Sequence, residues 1–336
     1  MPTVNSRAEL KQEIVRARAS ICAHLHRTPL LRSAYLSSRV GCNVYLKAEL
    51  FQKTGSFKVR GMLWTLQQMP EAERIRGVVT YSAGNAGQGL AYAAGLLGMK
   101  CCVVMPVSAS PIKAEATRGY GAEVIMSGNT VDCQAHCQSL VAERGMTFVS
   151  PFDRRSLMIG HASMALEIFE DLPDTTAIVV SMGGGSLAGA IALAGRAIER
   201  DARLIGVEPH ASAVIYHSLA AGRPIKLEPA ATVADGLAAP HAGEHCFEVI
   251  RDSFEDVVCV SDAEILEAMR LLMTRCKLFA EPAGAASLAG LLGMSARFGS
   301  EDHVVCIVSG GNLDLQRLGE YVTKELDSAA NEVAGD

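Results

Sequence analysis

The stretch A-I-V-V-S-M-G-G-G-S-L-A-G-A-I-A-L-A-G, residues 177–195, decides how this chain folds. Its first five residues are apolar and rich in β-branched side chains, which suits a strand buried on both faces. Glycines 183–185 break that run, and the small and aliphatic residues from Ser186 onward read as a helix lying close against a sheet. The same alternation recurs outward in both directions. Strands are expected at 43–47, 77–82, 100–105, 123–126, 203–207 and 303–309, and helices at 84–98, 111–120, 129–144, 155–170 and 186–199. Strands that alternate with helices form parallel sheets covered on both faces. The first helix is expected near Arg7, because Ser6 and Glu9 form a capping box.

Composition narrows the function classes. The 336 residues carry a net charge of −5, with 49% hydrophobic and 20% charged residues. That balance belongs to a globular protein, and neither the charge nor any dense Lys/Arg run points to nucleic acid. No apolar run reaches the ~18 residues of a membrane span. The polar start, Met1–Leu10, lacks the apolar core of a signal peptide. The ten cysteines are scattered with no C-x-x-C pair, so a reduced, cytoplasmic protein is expected. Cys133, His136 and Cys137 lack the second ligand pair that a zinc site needs.

Four short segments carry chemistry, and each has a plainer reading. In K-T-G-S-F-K, 53–58, Lys58 opens a helical run, either as a Schiff-base lysine or as a solvated helix residue. S-A-G-N-A-G-Q-G, 82–89, links a strand to a helix whose free N–H groups suit a carboxylate, or it is only a tight turn. S-M-G-G-G-S-L, 181–187, can wrap an oxyanion, or it is a flexible turn. It is neither a P-loop nor a G-x-G-x-x-G turn. S-G-G-N, 309–312, ends a strand where ligands of parallel sheets sit, or it is a strand-ending turn.

Together and in this order, the four segments resemble the fold-type II pyridoxal-phosphate enzymes, in the serine/threonine dehydratase and serine racemase branch. The resemblance runs from Arg27-Thr28-Pro29-Leu30 through Leu313 and takes in Gly206-Val207-Glu208-Pro209, Ala234-Asp235-Gly236 and Glu281-Pro282. It implies an α/β fold with two domains, each a mostly parallel twisted sheet flanked by helices, and the cofactor in the cleft. The small domain is expected at 77–153 and the large one at 1–76 and 154–330. A homodimer is expected as well. The chain ends soon after Leu313, so no C-terminal regulatory domain is expected.

The resemblance also assigns roles. Lys58 would carry pyridoxal 5'-phosphate and remove the substrate's Cα proton. Phe57 would pack on the cofactor ring, Asn85 would bind the ring hydroxyl, and Gly183, Gly184, Gly185, Ser186 and Leu187 would grip the phosphate. Ser309 would face the ring nitrogen. The backbone of Ser82, Ala83, Gly84, Asn85 and Ala86 would hold the substrate carboxylate, with Gly236 and Glu281 nearby in undefined roles. The implied reaction is dehydration and deamination of a small β-hydroxy amino acid such as threonine or serine. Racemases of this branch hold a serine where this chain has Ala83, which disfavours the serine racemase alternative. Many relatives hold histidine where this chain has Ala86, which leaves room for a bulkier substrate such as a hydroxyaspartate or phenylserine. Metal-dependent relatives bind a divalent cation through the glutamate at Glu208. Here Ser212 and Val214 occupy the two further ligand positions, so a Mg²⁺ or Ca²⁺ site is doubtful. A β-replacement enzyme of the cysteine synthase kind fits the E-P-A-G and A-D-G segments less well, and a non-enzymatic amino-acid-binding protein would need no Lys58 adduct.

Overall fold

Two separate sheets account for the strands of this computed structural model, which describes residues 6–228 and 231–323. In chain order the strands are β1 (Leu30–Arg32), β2 (Asn43–Ala48), β3 (Val78–Tyr81), β4 (Cys101–Met105), β5 (Glu123–Met126), β6 (Thr147–Phe148), β7 (Ala177–Ser181), β8 (Arg203–Pro209), β9 (Asp256–Val260) and β10 (His303–Val308). The larger sheet runs β1-β2-β10-β7-β8-β9 and is parallel except where β1 meets β2. The smaller runs β5-β4-β3-β6 and is parallel throughout. The chain is thus an α/β protein with helices covering mostly parallel sheets.

The expected helices are present at Asn85–Leu96, Pro111–Gly119, Thr130–Arg144, Arg155–Asp171 and Ser186–Ile198. The first helix, Arg7–Ile21, starts with the Ser6–Glu9 capping box. Three strands lie outside the expected set. β1 and β6 are too short to announce themselves, whereas β9, D-V-V-C-V, has the same Val-rich run as its neighbours.

β7 is buried along its whole length, as its uniform apolar pattern requires. The helix Arg155–Asp171 packs against Ser186–Ile198 and against Lys58–Gln67, and is buried from Leu157 through Phe169. A second core lies on the other face of the larger sheet, where Pro282–Gly293 is buried from Pro282 to Leu291. Cys102, Cys133 and Cys137 belong to a third, small core against the smaller sheet. Burial pushes the thiols of Cys133 and Cys137 up to about 11 and about 12, as expected of core residues.

Candidate active site

The four chemistry-bearing segments converge at the carboxyl ends of the strands. β2 continues through a short turn, Glu49–Phe51, into the segment holding Lys58. That segment is stitched to the one after β10. Phe57 N–H donates to Ser309 C=O at 3.1 Å, Gly311 N–H donates to Gly55 C=O at 2.9 Å, and Ser56 bridges Gly310. β3 delivers Ser82–Asn85 and β7 delivers Gly183–Gly185. A cavity of about 360 Å³ lies between them, walled by Phe57, Lys58, Ser82–Ala86, Gly183–Leu187, Gly236 and Ser309. Glu281 stands behind this wall, touching Asn85.

Lys58 is the first residue of the helix Lys58–Gln67. Its Nζ donates to Pro151 C=O at 2.9 Å and lies 5.2 Å from the centre of the Phe57 ring. Burial of the ammonium lowers its pKa from 10.5 to about 8. Two turns of chemistry hold that helix start in place. His161 meets the Phe57 ring edge-on, with centroids 4.7 Å apart, and its Nδ1 accepts the Gly61 N–H at 3.0 Å. Burial first, and then the charges of Lys58 and Arg60, push the His161 pKa well below its ordinary value. The ring is therefore neutral, with its hydrogen assigned to Nε2. Arg60 is buried and donates to both Glu49 and Glu167, while Lys47 donates to Glu167 at 2.7 Å. Two cations and two carboxylates balance there inside the protein.

The glycine loop offers donors. No acceptor for the N–H groups of Gly183 to Leu187 is present among the described residues, and the helix Ser186–Ile198 has no side-chain cap. Buried N–H groups at a helix start attract an oxyanion. Gly184 is needed for closeness, because a Cβ there would stand 2.1 Å from the Phe152 ring. At the other loop, Ser82 Oγ accepts the Gly84 N–H at 3.1 Å, and the helix Asn85–Leu96 again begins without a side-chain cap. Ala83 is exposed and Ala86 buried. Ser309 is 5% exposed, and its hydroxyl makes only a long bond, 3.4 Å, to Ala283 C=O. It remains able to turn toward a ring nitrogen.

These donors fit pyridoxal phosphate: orphan amides for the phosphate, an amine of lowered pKa, a carboxamide at Asn85 and a hydroxyl at Ser309. The pair Glu208 and Ser212 does not fit a divalent cation. Both Glu208 oxygens accept backbone N–H groups, from Ile215 at 2.9 Å and Tyr216 at 2.7 Å, and Ser212 donates to Leu237 C=O at 3.3 Å. Burial pushes the Glu208 carboxyl up to about 8 against those two bonds. No group of three His, Cys, Asp or Glu side chains suited to a metal occurs among the described residues.

Sequence reasoning gave no role to several residues that shape the cavity. Lys113 and Asp235 both line it and pair at 2.8 Å, Phe152 fills its wall, and Asn312 holds Asn85. Lys113 in S-P-I-K reads as one more helix lysine, and His161 as one more apolar-face histidine; nothing in their spacing sets them apart.

A family model described as "Pyridoxal-phosphate dependent enzyme" matches residues 21–310. The chain is 40% identical to an L-threonine ammonia-lyase of Geobacter sulfurreducens, covering 91% of this chain and 76% of the relative. It is 38% identical to an L-threo-3-hydroxyaspartate ammonia-lyase of a Pseudomonas species, covering 92% and 97%. Among solved structures, maize serine racemase superposes with a TM-score of 0.87 at 33% identity, covering 93% of this chain and 96% of that one.

Proposed function

The chain belongs to the family of pyridoxal-phosphate-dependent enzymes, and from that premise we propose that it removes water from a β-hydroxy amino acid, releasing a 2-oxo acid and ammonia. Threonine and serine are the first substrates, with a hydroxyaspartate or phenylserine as bulkier ones. The observation that carries this reading is the convergence on one cavity of Lys58 Nζ, the unclaimed N–H groups of Gly183 to Leu187 and of Ala83, Asn85 and Ala86, and the neutral hydroxyl of Ser309.

When bound, pyridoxal phosphate supplies an electron sink for the pair left on the substrate Cα. The amides of Gly183 to Leu187 hold its phosphate, Phe57 its ring face, Asn85 its ring oxygen and Ser309 its ring nitrogen. The substrate's α-carboxylate is held by the amides of the Ser82–Ala86 loop. Lys58 Nζ takes the Cα proton as a neutral amine, the form its burial favours. The β C–O bond then breaks, and the oxygen leaves as water with one added proton. The enamine that remains takes up one water and gives the 2-oxo acid and ammonia. Ser309 cannot keep a proton on the ring nitrogen as a carboxylate would, which makes expulsion of a β-leaving group the easier exit.

The likeness to maize serine racemase favours a second reading, racemisation. Ala83 argues against it, since a methyl group carries no proton to the opposite face of Cα. One experiment addresses both: 2-oxo acid release and D-isomer formation measured over a panel of β-hydroxy amino acids, with Lys58→Ala as blank. Oxo acid without D-isomer is the expected result. D-isomer alone would replace the reading with racemisation, and activity in the blank would end it.

The same reading includes a small domain at 77–153, a large domain from 1–76 and 154–330, a homodimer and a cytoplasmic location. The placing of β3 to β6 within 78–148 supports the first of these. All ten cysteines are free, which supports the last. No helix among the described residues is long and apolar enough to cross a membrane.

A further inference from the structure

Asn85 lines the cavity, yet its carboxamide is gripped from outside it. Asn312 Nδ2 donates to the backbone carbonyl of Thr54 at 2.8 Å and to Asn85 Oδ1 at 2.8 Å. A backbone carbonyl can only accept, so the atom of Asn312 that faces it is the NH₂ nitrogen. The Asn85 atom that meets the second hydrogen must then be oxygen, and the network fixes both amide orientations. The Asn85 NH₂ is turned the other way. One of its hydrogens goes to Glu281 Oε1 at 2.5 Å. The other meets no acceptor among the described residues and is left for the occupant of the cavity.

Glu281 and Asn312 are expensive residues to place where they are. Glu281 is 1% exposed, its Oε2 has no partner, and its one side-chain hydrogen bond is to Asn85. A buried carboxyl oxygen left unpaired costs stability. Asn312 reaches its place only because residue 55 is glycine. At φ +70°, a Cβ there would stand 2.4 Å from Asn312 Oδ1. Three of the four chemistry-bearing segments thus meet in one chain of contacts, Thr54 to Asn312 to Asn85 to Glu281.

We infer that Asn312 and Glu281 are positioning residues that fix the polarity of Asn85, so that it presents an N–H and never its carbonyl to the oxygen of the cofactor ring. The inference rests on the reading of Asn85 as the residue at that oxygen. A carboxamide free to flip would spend part of its time with Oδ1 facing the ring oxygen, lone pair against lone pair.

Asn312→Asp tests this, because a carboxylate can donate to neither oxygen and draws the Asn85 NH₂ toward itself. Protein reconstituted with pyridoxal phosphate is read by its visible absorption spectrum, which follows protonation of the ring oxygen, and by the cofactor dissociation constant. A changed balance of absorption bands and cofactor binding weaker by at least about tenfold are expected. Asn85→Ala should change both readouts, and the double variant should lose no more than the larger single change. Glu281→Gln keeps an acceptor and should keep the parent spectrum, whereas Glu281→Ala should not. If Asn312→Asp keeps the parent spectrum and affinity while Asn85→Ala alters them, the inference is overturned and the assignment of Asn85 stands. Additive losses in the double variant, or a parent spectrum in Glu281→Ala, overturn it too. If Asn85→Ala itself changes nothing, the assignment of Asn85 falls and takes the inference with it. Should Asn312→Asp not fold, Asn312→Ala, which removes the donors without adding charge, carries the same comparison.

Discussion

The Lys113 ammonium sits 2.8 Å from Asp235 Oδ2, and this pair spans the cavity from the helix after β4 to the Ala234-Asp235-Gly236 turn. The Lys113 side chain is 10% exposed and that of Asp235 44% exposed. Burial alone would pull the Lys113 pKa down, but the charges of Asp235 and then Glu281 outweigh it and hold it above its ordinary value. A Cβ on Gly84 would stand 3.1 Å from Lys113 Cδ, so this cation lies directly over the carboxylate loop. Lys113→Met is expected to raise KM for amino-acid substrates by roughly tenfold, the effect of ~1.4 kcal/mol. Asp235→Asn leaves the cation short of a partner. It should shift kcat/KM in favour of hydroxyaspartate over threonine, and steady-state kinetics on the two substrates checks both statements.

Lys58 makes the stability of the cofactor-free protein depend on pH. Its folded pKa, about 8, lies below the 10.5 of an exposed lysine, so the unfolded chain binds more protons between those values. The cost of holding the ammonium inside is complete below pH 8 and fades as pH rises toward 10.5. Lys58→Met should therefore stabilise the cofactor-free protein below pH 8 by up to ~3 kcal/mol, with the advantage shrinking above it. Urea unfolding of the two proteins across this range measures the difference.

Arg60 lies two residues beyond Lys58 and is locked to Glu49 and Glu167 with almost no exposure. Arg60→Met would leave two buried carboxylates with only Lys47 to balance them. A loss of roughly 3–5 kcal/mol is expected. A loss in unfolding free energy, from urea titration, of less than about 1 kcal/mol would show that the network relaxes instead of breaking.

Gly184→Ala should act on cofactor binding. The added methyl would collide with Phe152 at 2.1 Å and push the loop away from the line its amides now hold. Dissociation of pyridoxal phosphate, followed by fluorescence, should be at least about tenfold easier, as expected for losing one charge-assisted hydrogen bond.

Much of the architecture can be read from local pattern. β7 and β10 are Val- and Ile-rich runs closed by a serine, and the helices expected from 84 and 186 begin at Asn85 and Ser186. β1 and β6 could not be read, because a strand of two or three residues takes its identity from its partner and not from its own side chains. The loops at 82–86 and 183–187 are legible because glycine and a following helix are local facts. Lys113, Asp235, His161 and Asn312 are not. Each acquires its role from a residue more than 80 positions away, through a contact that only the tertiary fold creates. At Glu208 the sequence, with Val214 at a ligand position, disfavours a metal, and the geometry gives both oxygens to backbone amides.

That arrangement at Glu208 carries a practical corollary. The two carboxyl oxygens cap the start of the helix Val214–Ala221 from within the chain, each taking one free backbone N–H, so neither is left over for a dissolved cation. Dialysis against a chelator should accordingly leave the melting temperature where it was. Purification buffers, growth media and cell compartments poor in magnesium or calcium would all yield the same folded molecule.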